Sequence, residues 1–382
     1  MCSLIYLIIT GLLFVLYATA ILMYRAWFIK LKQFQVPASY TPSTSFSIII
    51  PARDESDNIV NCLQSIFDND YPESLYEIIV VDDHSVDDTS LLVQQLQTKH
   101  ANLRLLRLAD EIDGQILNAY KKKAIEKAIG LSNNQWIITT DADCFTKQEW
   151  LKSFDAYIQD TNHVLVAAPV VFIKENNVLS MFQYIDFLSL QGITAASVSA
   201  GFHTMCNGAN LAYQKAAFNA VEGFKDIDHI ASGDDMFLMN KIKKQFPDGL
   251  GYLFAQKATV STHPMPSWKA FLNQRIRWAS KADKLKDKSV LLVLVLVYLF
   301  NLLIFLMPLI AIFNHSFIVY CLIALLLKTV IELSFAIPVG RFFGQSFVWW
   351  FPLLQPIHIA YTVLAGWLGK FGSYKWKGRK VK

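Results

Sequence analysis

The chain has 382 residues, of which 53% are hydrophobic and only 17% charged, and its mean hydropathy is +0.32. A soluble domain is nearer half apolar and about a quarter charged, so composition excludes both an ordinary soluble enzyme and a disordered chain. Lys plus Arg is 35 against 31 for Asp plus Glu, and the resulting +4 is too mild to argue for nucleic acid as partner.

The first predicted element is the uncharged run Leu4 to Tyr24. It is long enough to cross roughly 30 Å of hydrocarbon as a helix rising ~1.5 Å per residue. No Lys or Arg precedes it, and Arg25, Lys30 and Lys32 follow, the pattern of an uncleaved anchor with its N-terminus outside. Ala18-Thr19-Ala20 is similar to a leader cleavage site and keeps a cleaved signal peptide as the rival reading. The charge-rich block Arg25 to Lys288 comes next, with room for one large domain or two small ones.

Within the block, Phe46 to Pro51 is an Ile-rich run that predicts a buried strand, and Asp57 and Asn58 can cap a helix over Ile59 to Asp68. Glu77 to Val81 predicts a second strand ending in Asp82-Asp83. Thr89 to His100 reads as helix, Leu103 to Leu106 as strand and Tyr120 to Ile129 as a basic helix. Trp136 to Thr140 is a further strand ending in Asp141-Ala142-Asp143. Alternating strands and helices imply an α/β fold with a mostly parallel sheet, and such sheets bind ligands at the carboxyl ends of their strands. The acidic groups Asp54/Glu55, Asp82/Asp83 and Asp141/Asp143 fall there. Neither a G-x-G-x-x-G turn after the first strand nor a P-loop is present, which argues against a dinucleotide site and a P-loop NTPase.

Asp141-x-Asp143 is weak alone, because Asp is common where strands end and turns begin. Two such carboxylates point the same way along extended chain and can grip a divalent cation, and Mg²⁺ and Mn²⁺ prefer oxygen ligands. The neighbouring Asp82-Asp83 adds force, since converging carboxylates are costly without a cation or a donor-rich ligand. Gly233-Asp234-Asp235 precedes the apolar Met236 to Leu238, so Ser232 or Asp234 is expected near a helix start. Capping needs one acid and two are present; a general base must be such a carboxylate beside the acceptor. In Gln274-Arg275-Ile276-Arg277-Trp278, Arg277 suits a leaving diphosphate and Trp278 a stacked ring; the competing reading is a basic helix holding anionic lipid.

Ser289 to Phe313 is a second apolar span, preceded by Lys281, Lys284, Lys286 and Lys288, so positive flanks place the central block in the cytoplasm. Phe317 to Val339 is a third, with Lys328 and Glu332 on one helical face as a neutralising pair. Phe347 to Leu368 is a fourth, interrupted by Pro352 and Pro356 and expected to be re-entrant or interfacial, since the tail from Lys370 to Lys382 is basic. The expected segments are thus an anchor at 1–24, a cytoplasmic domain at 25–288, membrane segments at 289–369 and a basic tail at 370–382. The five cysteines are odd in number and lack C-x-x-C spacing, which fits a reducing compartment and no disulfide framework.

In this order the motifs resemble those of the family 2 glycosyltransferases, inverting enzymes with a GT-A fold and nucleotide-sugar donors. The resemblance rests on Ile48-Ile49-Ile50-Pro51-Ala52-Arg53-Asp54-Glu55, Val81-Asp82-Asp83-His84-Ser85-Val86-Asp87-Asp88-Thr89, Asp141-Ala142-Asp143 and Gly233-Asp234-Asp235. It also rests on Gln274-x-x-Arg277-Trp278, the Q-x-x-R-W pattern of membrane-embedded members such as cellulose, hyaluronan and poly-N-acetylglucosamine synthases and ceramide glucosyltransferases. Trp376-Lys377-Gly378-Arg379 resembles a tail motif of the last group.

The resemblance implies roles for particular residues. Pro51, Ala52, Arg53, Glu55, Asp82 and Asp83 would bind the uridine part of the donor. Lys121 would be the donor-side lysine of Gly-Lys-x-x-Ala-Leu, with Tyr120 in place of the glycine. Asp141 would touch the donor and Asp143 the Mn²⁺ or Mg²⁺ ion. Asp235 would be the catalytic base, with Asp234 replacing the usual glutamate, and Gln274, Arg277 and Trp278 would complete the catalytic set. Asn207, Gly208 and Asn210 would line the sugar and acceptor pocket. The implied partners are a nucleotide-sugar donor, a lipid or glycan acceptor and membrane lipids, with no nucleic acid, at the cell membrane. Few membrane segments favour a single transfer to lipid over a small processive polysaccharide synthase. The intact acids disfavour a nucleotide-binding scaffold.

Overall fold

The computed structural model describes residues 2–112, 117–284, 287–345, 350–372, 374–376 and 379–381. It divides into a helical unit (Met1–Leu31, Lys174–His203, Pro264–Lys382) and an α/β unit (Lys32–Ile173, Thr204–His263). In chain order, α1 (Cys2–Phe28) opens the helical unit. The α/β unit then runs β1 (Phe46–Ala52), α2 (Ile59–Phe67), β2 (Tyr76–Asp82), α3 (Thr89–Gln97), β3 (Leu103–Arg107), α4 (Leu108–Glu111), α5 (Tyr120–Leu131), β4 (Trp136–Thr139), β5 (Cys144–Phe145), α6 (Trp150–Asp160), β6 (Leu165–Ala167) and β7 (Val170–Phe172). After α7 (Val178–Ser199), in the helical unit, come β8 (Leu211–Gln214), α8 (Lys215–Ala220), α9 (Asp234–Gln245), β9 (Leu250–Tyr252) and β10 (Val260–Thr262). The helical unit ends with α10 (Trp268–Ala279), α11 (Lys288–Ala311), α12 (Ser316–Phe342), α13 (Trp350–Phe371) and the short strands β11 (Tyr374–Trp376) and β12 (Arg379–Val381).

The main sheet has the order β3-β2-β1-β4-β8-β6-β9. All its pairings are parallel except those of β8 with β4 and β6. This is the mostly parallel α/β sheet expected from the strand–helix alternation. Its central strands carry apolar side chains on both faces because helices cover both: Ile48, Ile49, Ile50, Ile78, Val80, Ile137 and Ile138 are all fully buried. The predicted cap of α2 is absent. Asn58 makes no side-chain cap bond and instead donates its amide to Glu55 Oε2 at 2.9 Å. The segment ahead of β1 is tied down by Asp155 on α6, whose carboxylate accepts from the Tyr40 and Tyr71 hydroxyls at 2.6 and 3.0 Å and from the Ser43 and Thr44 amides.

In the helical unit, α1, α11, α12 and α13 are long and apolar enough to cross a membrane. Leu4, Leu12, Leu292, Leu322, Leu326 and Leu353 are large apolar side chains left exposed along them. α13 differs from expectation. Pro352 lies in its first turn, where the missing N–H has no intrahelical partner anyway, and the helix continues through Pro356. Phe347, Lys286, Lys377, Gly378 and Lys382 lie outside the described residues.

Lys328 and Glu332 do pair, at 2.5 Å, and Lys328 also donates to Gln355 Oε1 at 2.8 Å. Glu332 accepts further bonds from the Tyr17 hydroxyl and the Gln355 amide. Such mutual neutralisation is what a charged pair needs away from water. No disulfide is present among the described residues.

Candidate active site

The turns after β1 and β2 are laced to each other. Asp83 N donates to Ala52 O at 2.8 Å, Asp54 N to Ser85 Oγ at 3.0 Å and Val86 N to Asp54 Oδ1 at 2.9 Å. Glu55 N donates to Thr89 Oγ1 at 2.8 Å and Ser56 N to Asp87 Oδ2 at 2.9 Å. Asp54 and His84 take left-handed backbone angles, φ 50° and 58°, which fold the two turns back at the sheet edge. Burial raises the Asp87 carboxyl, but bonds from the Thr89 hydroxyl and the Ser56 and Thr89 amides outweigh it and hold the group at about 2.

The two adjacent aspartates after β2 serve differently. Asp82 accepts from Ser85 N at 3.0 Å through one oxygen and from Ser90 Oγ at 2.7 Å through the other, so it shapes the turn. Asp83 faces Arg53, whose Nη1 is 3.8 Å from its carboxylate, and His84 Nδ1, at 2.9 Å. Burial raises the Asp83 carboxyl above the usual range, with His84 and Arg53 acting in the opposite direction. Pro51 and Ala52 end β1, and Arg53 and Glu55 lie on the turn that follows it.

At the end of β4, Lys121 Nζ donates to Asp141 Oδ1 at 2.7 Å and sits 3.4 Å from Asp234 Oδ2. Burial alone would lower this ammonium, but Asp141 and Asp234 outweigh it and raise it, so Lys121 stays charged. Asp141, Asp143 and Cys144 offer ligand atoms that all lie within 4.8 Å of one another. Burial, then the Asp143 carboxylate, push the Cys144 thiol well up, and Cys62 behind it donates to Asp141 O at 3.6 Å. With the thiol disfavoured as thiolate, the candidate ligands are carboxylate oxygens, a set that fits hard Mg²⁺ or Mn²⁺.

Asp234 and Asp235 open α9 behind Gly233, whose φ of 78° sets the helix start; the cap is thus Gly233, with the acids in the first turn, where the helix dipole favours them. Asp235 accepts from Gly208 N at 3.1 Å, and Thr139 Oγ1 on β4 donates to Gly208 O at 2.8 Å. A Cβ on Gly208 would come within 3.2 Å of Asp234 Oδ2, a tight approach to which the Asp234 carboxylate would have to yield by a few tenths of an ångström.

Lys121, Asp141, Asp234, Asp235 and Gly208 thus form one connected cluster, with Asp143 beside Asp141. Asn210 is placed otherwise. It is fully buried, accepts from Trp150 Nε1 at 2.9 Å and donates to Pro169 O and Ala258 O at 2.7 and 2.8 Å, so core polar satisfaction uses its whole side chain. Asn207 accepts from Ala209 N at 3.0 Å and shapes the turn before Gly208.

Gln274, Arg277 and Trp278 belong to α10 of the helical unit. There the Trp278 ring lies 4.2 Å from the Arg275 guanidinium, which pairs with Asp186 at 2.6 Å. Arg275, buried and paired, was not singled out from sequence, because only α7 supplies its partner. Thr139 was also missed, since nothing in an apolar strand marks one hydroxyl as an anchor.

Residues 10–382 match the model of glycosyl transferase family 21. The chain belongs to glycosyl transferase family 21. The motif order pointed to family 2; the matching family model is that of family 21, and glycosyl transfer is the common ground. This family 21 chain is 28% identical over 231 residues to glycosyltransferase AglE of Haloferax volcanii, covering 60% of this chain and 70% of that protein. It is 27% identical over 309 residues to dolichyl N-acetyl-alpha-D-glucosaminyl phosphate 3-beta-D-2,3-diacetamido-2,3-dideoxy-beta-D-glucuronosyltransferase of Methanococcus voltae, covering 78% of this chain and 92% of that one. In fold it is similar to the mannosyltransferase PcManGT of Pyrobaculum calidifontis, solved with GDP-Man and Mn²⁺. The TM-score is 0.59 at 19% identity, with 94% of this chain and 97% of that one covered. The α/β unit is therefore of the GT-A type.

Proposed function

We propose that this glycosyltransferase moves one sugar, with inversion, from a nucleoside-diphosphate donor, a UDP-sugar, to a hydroxyl of a lipid or membrane-associated acceptor. The observation that carries the reading is the Lys121 bridge: one ammonium ties Asp141 of the strand-end pair to Asp234, the neighbour of Asp235. Donor-side acids and base thus share a single cluster. The acceptor class is supported by the Methanococcus voltae relative, whose name describes transfer on a dolichyl-linked sugar phosphate. A nucleotide-sugar donor and a divalent ion are supported by the GDP-Man and Mn²⁺ in the solved mannosyltransferase, while the choice of uridine rests on the motif resemblance at Asp82-Asp83.

In this mechanism Asp235 accepts the proton of the acceptor hydroxyl. The acceptor oxygen bonds to the anomeric carbon as the carbon–oxygen bond to the diphosphate breaks, and the electron pair of that bond leaves with the nucleoside diphosphate. A single displacement inverts configuration and needs no carboxylate nucleophile. Lys121 holds Asp141 in place and adds a positive charge near the growing negative charge. Asp143, with Asp141, would hold the Mn²⁺ or Mg²⁺, whose charge would offset that of the diphosphate. Asp83, next to Arg53, is the residue of the β2 turn suited to face the base. We assign α1, α11, α12 and α13 as membrane spans, with the α/β unit on the cytoplasmic side. The basis is the basic flanks Arg25, Lys30 and Lys32 after the first span and Lys281, Lys284 and Lys288 before the second.

The test is release of nucleoside diphosphate by the purified protein across a panel of nucleotide sugars, with Mn²⁺ or Mg²⁺ and a polyprenyl-lipid acceptor. Asp235→Asn is expected to keep donor affinity and to lose transfer by at least about a hundredfold. Unchanged turnover in Asp235→Asn, or no release with any donor, would overturn the reading. A ladder of product lengths would indicate a processive synthase instead.

A further inference from the structure

Lys122 is a charged side chain with 1% exposure, next to the lysine that enters the acidic cluster, and the mechanism above does not use it. Its ammonium donates to the carbonyls of Ile227 at 2.7 Å, Ile230 at 2.5 Å and Ser232 at 3.2 Å, and lies 5.4 Å from the centre of the Phe237 ring. An ammonium has three donors and no acceptor, so this cage of carbonyls answers its geometry. A buried charge persists only with such partners.

The caged carbonyls belong to the irregular segment that ends at Gly233 and delivers Asp234 and Asp235 into α9. That segment is tied elsewhere too, and in the same manner. Asn118 donates to His229 O at 2.6 Å, and Lys241 donates to Gly223 O and Lys225 O at 2.7 and 2.9 Å. Its turns use left-handed backbone at Glu222, Gly223, Asp226 and Gly233, and at the non-glycine positions Glu222 and Asp226 that conformation persists only where surrounding structure holds it. All these ties grip backbone oxygens of the arch, and they come from Asn118, from α5 and from α9. Asp228 and His229 project outward and are free to differ without moving it.

We propose that Lys122 is a positioning residue for the base: its ammonium, caged by the arch, fixes where Gly233 starts α9 and so where Asp235 stands relative to Lys121 and Asp141. Tandem lysines divide the work, Lys121 entering the acidic cluster and Lys122 anchoring the segment that supplies its second half. The inference rests on the assignment of Asp235 as base.

The test is Lys122→Met, which keeps length and removes charge. Transfer kcat should fall by about a hundredfold, the scale of a misplacement near 1 Å. Donor affinity, read by nucleotide titration, should stay within about threefold, because the β1 and β2 turns are held by hydrogen bonds to each other. Amide hydrogen exchange of the ligand-free protein should quicken over residues 222–235 and leave the β1–β4 strands unchanged.

Asn118→Ala removes an exposed tie to the same arch and provides a variant without a buried defect. It should lower kcat by roughly three- to tenfold with the same exchange signature. A kcat near wild type in Lys122→Met, a loss of donor affinity in step with kcat, or no local exchange change would overturn the proposal. If the wild-type protein transfers nothing, the function proposed above fails, while the exchange measurement still judges the clamp.

Discussion

A methyl group on Gly208 would stand 3.2 Å from Asp234 Oδ2 and 3.5 Å from Asp235 Cβ, in a place where the Gly208 amide already serves Asp235. Gly208→Ala is expected to push the acids of α9 away from Lys121 and to reduce kcat by about tenfold or more, with donor affinity little changed. Steady-state kinetics alongside nucleotide titration checks this. The same scale shows where sequence reading stops. Asp82 and Asp83 are chemically identical neighbours at a strand end, and both were expected at the donor. Only the positions of Ser85 and Ser90 commit Asp82 to its turn and leave Asp83 to Arg53 and His84. Asn210 sits in a segment that resembles an acceptor pocket, yet Trp150 and two carbonyls distant in sequence claim its side chain. Lys122 was read only as part of a basic helix, because its partners are backbone oxygens and leave no trace in residue type.

At the scale of elements, the strands were legible because burial on both faces demands unbroken apolar runs, as in Phe46 to Pro51 and Glu77 to Val81. The antiparallel insertion of β8 between β4 and β6 was not, since four residues of strand carry no signal of their direction. The cap of α2 was misread because Asn58 sits in helical backbone, φ −115° and ψ −36°, and not in the extended conformation from which a side-chain oxygen caps.

Asp155 on α6 shows what one buried acid does for several segments. Burial raises its pKa, but bonds from Gln159, Thr44, Tyr40 and Ser43 outweigh that and hold the carboxyl below the ordinary value. A depressed carboxyl stabilises the fold above the unfolded-state pKa of about 4, and that contribution disappears as pH falls through the folded value. Thermal melting of the protein in detergent should therefore drop as pH is taken below about 4. Asp155→Asn should lower stability by about 2 kcal/mol near neutral pH and flatten that acid limb.

At the scale of the whole chain, the helical unit hides ionised and polar groups that an apolar bundle would seem to exclude. Lys328, Glu332, Gln355 and Tyr17 form one connected set from α12, α13 and α1. Asp186, Arg275 and Tyr361 form another from α7, α10 and α13, with Tyr361 donating to Asp186 at 2.5 Å. Removing one partner strands the other charge, so Lys328→Met should cost about 3–5 kcal/mol. Lys328→Met combined with Glu332→Leu should recover much of that loss. Melting of these two variants in detergent against wild type measures both effects, and equal losses in the single and the double variant would contradict this account.

The excursion of α7 has a consequence for how the protein is made. The α/β unit draws on Lys32–Ile173 and Thr204–His263, while Lys174–His203 between them belongs to the helical unit. During synthesis from the N-terminus, β1 to β4 can pair as soon as they emerge, because their order in the sheet is local. β6 must wait for β8 and β9, its sheet neighbours, made only after α7. Of the other helices of its unit, α7 finds only α1 already made, and α10 to α13 follow it. The nascent chain therefore carries an apolar helix and an open sheet edge at the same time, the species most prone to misassembly. Isolated soluble fragments should therefore give low yields, and folding should depend on a membrane being present during translation; in-vitro translation with and without membranes checks this.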